Sequence, residues 1–150
     1  MKRLLIQCLA GLILGAICGA LIAAFCEDSL PPKDTLITTA FINRQAIGTF
    51  IIDTGSTYAV ITPELASKLG VIVSDETPRV SILTANGVQA CPRVTLSSIQ
   101  VGPVTVHNVA AVVKRIDDDP LLAGLLGMSF LSQVDLRINK GQLSIEKAGN

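Results

Sequence analysis

Two apolar patterns divide the chain. From Leu4 to Phe25 the residues are apolar almost without a break, with Gln7 the one clearly polar interruption. From Leu36 onward the apolar residues come in short runs, several alternating with polar ones at the period of two that marks half-buried strands. The contrast predicts one membrane-length helix followed by a β-rich domain. The clearest alternation lies near the end, where Val134, Leu136 and Ile138 are interleaved with Asp135 and Arg137. Beyond Asn139-Lys140-Gly141, Leu143 and Ile145 are interleaved with Gln142, Ser144 and Glu146. This predicts a hairpin whose apolar face is core.

Turn chemistry places the other elements. "LITTAFI" and "QAIGTFII" flank Asn43-Arg44 as the two arms of a hairpin. "TPELASKLG" reads as a short helix, with Thr62 as N-cap, Pro63 in the first turn and Gly70 as the stop. In "RVSILTANGVQAC", Asn86-Gly87 is a strong two-residue hairpin signal. "VTLSSIQVG" and "VTVHNVAAVV" are strands around Gly102-Pro103, and "LLAGLLGMSFLSQ" is a strand turning at Gly127 into a short helix. A faint duplication is visible: "FINRQAIGTFIIDTGS" and "IQVGPVTVHNVAAVV…LLGMSF" share a plan of strand, turn, strand and sharp glycine turn. Ile51-Ile52 and Leu125-Leu126 precede the turn in the two copies, and only the first copy carries an aspartate.

The run from Leu4 to Phe25 follows Lys2-Arg3 and matches the ~20 residues that span ~30 Å of hydrocarbon. A cleavable signal peptide shares the basic start and apolar core, but this run is long for that role and Ala23-Ala24-Phe25-Cys26 is a poor cleavage site. A lipobox at Cys26 fails because Phe25 stands where a small residue is wanted. The expectation is a retained anchor with its basic end in the cytoplasm and all later residues across the membrane. Gly11, Gly15, Gly19 and Ala23 fall on one helix face and would allow two such helices to approach closely. The polar, proline-paired "CEDSLPPKDT" is a short tether.

Composition removes several functions. Twelve basic residues balance twelve acidic ones without a basic block, and Trp is absent, so neither a nucleic-acid surface nor a base-stacking platform is expected. Of four cysteines, Cys8 and Cys18 lie in the anchor and Cys26 at its edge, leaving Cys91 alone in the rest of the chain. No disulfide framework follows, and with His107 the sole histidine and no C-x-x-C, a zinc site is not expected. His107 reads as a strand residue bonded locally, and Asp117 to Asp119 as a solvated loop without the spacing of a calcium site.

One carboxylate stands apart. Asp53 ends an apolar run and enters Thr54-Gly55-Ser56, where a charge is costly unless the turn satisfies it. Gly55 lets backbone approach the acid, and the hydroxyls of Thr54 and Ser56 are suited to orienting it. An isolated Asp-Thr-Gly is most simply an Asx turn; here an apolar strand precedes it and a second apolar segment follows.

With these residues in place, the sequence from Leu36 to Lys147 resembles the retropepsin-like aspartic proteases. The resemblance rests on "IIDTGS", on the "ILTANGVQA" hairpin and on "LLGMSFL". It implies an all-β, closed-barrel acid-protease lobe with short helices, preceded here by one transmembrane helix. It implies Asp53 as the catalytic acid, supported by Thr54, Gly55 and Ser56. Thr84, Ala85, Asn86 and Gly87 become a substrate-covering flap, and Leu125, Leu126 and Gly127 an apolar-glycine turn beside the active site. The added helix and the anchor look like the bacterial membrane-bound branch, with the catalytic domain on the periplasmic side of an inner membrane. Met128 and Ser129 depart from the retroviral pattern, where Arg and then Asn or Asp brace the dimer.

Peptide hydrolysis of this kind needs two facing carboxylates, and the chain has one Asp-Thr-Gly. The expected species is therefore a twofold homodimer with one Asp53 from each chain, acting on polypeptide substrates without metal or cofactor. The expected layout is an anchor at residues 1–26, a linker at 27–35, the protease domain at 36–147 and a tail at 148–150. A membrane-tethered domain that binds peptides in the same cleft without cutting them is the alternative.

Overall fold

Asn43 and Arg44 both take positive φ, at 52° and 56°, and Gln45 N–H donates to Ile42 O at 2.9 Å. That turn matches the twist of paired strands. It joins β1 (Ile37–Ile42) to β2 (Ala46–Ile52) as the sequence predicts. The structure, a computed structural model, describes residues 36–149 apart from 85–86, 117–118 and 140–141. The expected anchor and linker, and the flap residues Ala85 and Asn86, lie outside the described residues. Among the described residues no helix is long and apolar enough to cross a membrane.

After β2 come β3 (Ala59–Ile61), α1 (Pro63–Lys68), β4 (Arg79–Thr84), β5 (Gly87–Val101) and β6 (Val104–Val113). Then follow β7 (Leu122–Leu126), α2 (Met128–Leu131), β8 (Val134–Asn139) and β9 (Gln142–Lys147). Six strands close on themselves in the order β1-β2-β7-β3-β6-β5, the seam being Phe41 and Ile42 against Gln100 and Ile99. This is the all-β closed barrel with short helices. β5 is long enough to serve twice: its second part pairs β6, and its first part pairs β4 in a projecting hairpin. β8 and β9 form a separate two-stranded sheet.

The barrel interior is filled from every strand, with Phe50, Phe130, Ile42, Ile61, Leu96, Ile99 and Leu126 fully buried. Each such side chain contributes about 1.5–3 kcal/mol relative to exposure. A second, smaller cluster of Val60, Cys91 and Val112 lies on the other face, with Tyr58, Val80, Ile82, Ile116 and Leu125 packed against it. β3 is thus buried on both faces, Ala59 and Ile61 in the main core and Val60 in the second cluster. Double-sided burial explains why "AVI" is continuously apolar instead of alternating.

Three expectations are refined. Gly87 pairs with Thr84 as the first residue of β5, so it is a strand residue and not the turn residue that Asn86-Gly87 implies. The apolar face of the last hairpin is core except at Ile138: Val134 and Ile145 are buried and Leu136 and Leu143 pack against the core, whereas Ile138 is 53% exposed. The duplication also has a different register. β1 and β2 are answered by β5 and β6, β3 by β7, and α1 by α2. Under that exchange the barrel pairings are preserved: β1–β2 maps on β5–β6 and parallel β2–β7 on parallel β6–β3, while β3–β7 and β1–β5 map onto themselves. The Asp53 turn therefore corresponds to the stretch after Val113, and Gly127 corresponds to Thr62. Apolar pairs end many strands, so their recurrence in sequence did not fix the register.

Candidate active site

Ile51 and Ile52 run parallel to Leu125 and Leu126 in direct register. Asp53 is carried one step further, and its amide donates to Leu126 O at 3.0 Å. The chain then bends: Ser56 N–H donates to Asp53 O at 3.3 Å, and Gly55 N–H donates to Asp53 Oδ1 at 2.9 Å. A Cβ on residue 55 would stand 3.2 Å from that oxygen, so glycine gives the acid an unobstructed amide. The carboxylate is half-buried and held by a charge-assisted hydrogen bond.

The two neighbouring hydroxyls serve otherwise than the sequence suggests. Ser56 Oγ donates to Tyr58 O at 2.8 Å and so stiffens the loop without touching the acid. Thr54 is exposed, and its hydroxyl has no partner among the described residues.

The loop is clamped from behind by the turn after β7. Met128 N–H donates to Ser56 O at 2.7 Å and Ser129 N–H to Thr57 O at 2.9 Å. Ser129 Oγ accepts from Ala59 N–H at 2.8 Å and donates to Ala110 O at 2.7 Å, tying β3 and β6 to α2. Gly127 lies flat against the loop: a Cβ there would overlap the carbonyl oxygens of Tyr58 and Ser56. Leu125, Leu126 and Gly127 thus divide their tasks: Leu125 lines the cleft, Leu126 is core, and Gly127 permits the close approach. Ser129, noted in the sequence only as a departure, is a main connection of the loop to the barrel.

In front of Asp53 opens a cleft of about 520 Å³. One side is the loop from Asp53 to Val60, and the other is the flap strand from Ser81 to Thr84. Val112, Lys114, Ile116 and Leu125 complete the lining. The apolar floor is the second hydrophobic cluster, with Cys91 buried beneath it. Thr84 lines the cleft and its hydroxyl donates to Gly87 O at 2.9 Å; Gly87 itself is exposed with φ +102°. Tyr58 has the Arg93 guanidinium 6.0 Å from its ring centroid, at the outer limit of a cation–π contact.

Among the described residues Asp53 is the one carboxylate lining the cleft and Lys114 the one cation. No group of three or more metal-ligating side chains converges among them. His107 is exposed on β6, its Nδ1 3.3 Å from Ser97 O, and it does not line the cleft. Tyr58, Val60, Lys114 and Ile116 went unmarked in the sequence, because four separate segments meet there only once the barrel closes.

Comparison with known proteins agrees with this geometry. The family described as aspartyl protease matches residues 38–130. A retropepsin-like aspartic protease from Rickettsia conorii has a similar structure, with a TM-score of 0.62 and 30% identity, covering 78% of this chain and 86% of that one. An uncharacterized protein in the cobV 5' region of Sinorhizobium sp is 38% identical over 100 residues, 66% of this chain. The match spans 41% of that relative's length.

Proposed function

The chain belongs to the retropepsin-like aspartyl protease family, and on that premise we propose that it is an aspartic endopeptidase built as a homodimer, with Asp53 of each subunit forming one dyad. The observation that carries this reading is that, among the described residues, a single carboxylate lines the cleft that the flap hairpin flanks. One such acid is half of the required pair. Two carboxylates brought together by a twofold axis share a proton, as is established for aspartic proteases as a class, because both cannot ionise at close range. The ionised member takes a proton from water, whose oxygen attacks the peptide carbonyl carbon. The protonated member donates to the carbonyl oxygen, and collapse of the tetrahedral species breaks the C–N bond with proton delivery to nitrogen. Gly55 N–H keeps Oδ1 aligned throughout, and no metal or cofactor takes part.

The substrate is an extended segment held as a strand between the flap and the apolar floor, a form of recognition that uses main-chain hydrogen bonds for affinity. Residues 1–26 tether the enzyme to a bacterial inner membrane with the domain on the periplasmic side, an assignment supported by the apolar length and the basic start.

The test compares full-length protein with Asp53→Asn on a peptide library across pH, with products identified by mass spectrometry. Wild type is expected to cut and the variant to lose at least ~10³-fold in kcat, since removing an acid–base partner forfeits both proton transfers. Equal, negligible cleavage by both, with peptide binding intact, would favour a non-cutting binding domain.

A further inference from the structure

The twofold within the barrel gives each position in one half a counterpart in the other. β2 ends at Ile52, and the next residue, Asp53, donates its amide to Leu126 O at 3.0 Å. β6 ends at Val113, and the next residue, Lys114, donates its amide to Ile61 O at 3.0 Å. The two acceptors are themselves counterparts, each the last residue of its strand, on β7 and β3. Lys114 therefore holds in the second half the place Asp53 holds in the first, and both side chains line one cleft. We propose that Lys114 is a specificity-determining residue that selects peptides carrying an acidic side chain among apolar neighbours. The proposal rests on the cleft being the substrate site.

Three observations support it. First, the Lys114 ammonium has no ion-pair or hydrogen-bond partner among the described residues. The neighbouring Arg115 is the one engaged, with Glu64 at 3.5 Å, and Asp119 accepts instead from Leu121 N–H at 2.9 Å. Second, Lys114 is half-buried beside Val112 and Ile116, where a reduced local dielectric strengthens a charge–charge contact relative to bulk water. Third, the counterpart positions carry opposite signs. A bound peptide thus meets a negative wall at Asp53 and a positive one at Lys114, which orients an acidic side chain toward the second half and penalises it at the first. The surrounding lining is apolar or uncharged, so the substrate's flanking residues are read by burial.

The experiment uses the full chain in detergent and matched apolar peptides that differ only by Glu, Gln or Lys at one position, scanned along the peptide. Glu is expected to be favoured by about 3- to 10-fold in kcat/KM at one or two positions near 0.1 M salt, the range for a partly exposed charge pair. The preference should shrink toward 1 M salt, because such a contact is screened. Lys114→Arg should keep it, Lys114→Gln should abolish it, and Lys114→Glu should turn it into a preference for Lys over Gln. A wild-type Glu-to-Gln ratio of one at every position overturns the proposal even if no variant folds, as does a ratio unchanged in folded Lys114→Gln and Lys114→Glu. Failure of the protease reading looks different: wild type and Asp53→Asn are then equally inert on all peptides. In that case the Kd of the same peptide pairs for Asp53→Asn decides. Tighter Glu binding that vanishes in the Asp53→Asn/Lys114→Gln double variant supports the role of Lys114, and equal binding refutes it.

Discussion

Asp53 sits at the end of an apolar strand, where an uncompensated charge would be costly, and Gly55 N–H supplies the compensation at 2.9 Å. The residues behind it determine how firmly the loop is held. Ser129 Oγ satisfies both Ala59 N–H and Ala110 O. In Ser129→Ala these two main-chain groups lose their partner, and part-buried unsatisfied groups cost about 1–3 kcal/mol. A thermal melt of the full chain in detergent should show the loss. Turnover should fall as well, because the loop that carries Asp53 hangs on the same hydroxyl. Gly127→Ala is a stricter case: the added methyl meets the carbonyl oxygens of Ser56 and Tyr58, which are backbone and yield little. Overpacking there should destabilise by about 1–3 kcal/mol or more and displace Asp53. Near-wild-type melting and activity for this variant would contradict the close contact.

At the scale of elements, short segments depend on their ends. α1 spans only Pro63–Lys68, too short to persist on propensity alone. Thr62 Oγ1 accepts from Leu65 N–H at 3.3 Å, Pro63 opens the first turn, and Leu65 and Ala66 anchor the helix in the core. Thr62→Ala should cost about 0.5–2 kcal/mol, seen as a lowered melting temperature, while Thr62→Ser should restore most of it. The flap hairpin is the opposite kind of element. β4 alternates, with Val80 and Ile82 packed toward the cleft cluster and Leu83 84% exposed beside its cross-strand partner Val88, 70% exposed. One face of the hairpin packs on the cleft cluster, and the other leaves Val88 and Leu83, which also lines the cleft, largely exposed.

For the whole molecule the arithmetic of carboxylates governs. Because one chain lines its cleft with one acid among the described residues, activity should depend on association. Diluting the detergent-solubilised protein below its dimer dissociation constant should lower specific activity steeply, and a rate strictly proportional to enzyme at all concentrations would contradict a shared dyad. Mixing wild type with excess Asp53→Asn should suppress activity through inactive mixed dimers. The proposed membrane anchor would hold both chains in one bilayer and so raise their effective concentration without any new contact between domains. Replacing Gly11, Gly15 and Gly19 by Ile is therefore expected to reduce dimer content in membranes, as read by crosslinking.

The linear order of residues determined much of this protein: the β-rich domain, the capped helix at Pro63–Lys68, the Asn43-Arg44 turn and the Asp-Thr-Gly loop with its apolar strand. These are local signals, written in caps, turns and alternation that need no distant partner. Tertiary structure alone decided which strands close the barrel, the true register of its internal twofold, and the burial of β3 on both faces. It alone brought Tyr58, Lys114 and the flap strand to Asp53. Such neighbours are fixed by pairing across long stretches of chain, β2 with β7 and β3 with β6, and no local pattern encodes which strand a given edge will meet.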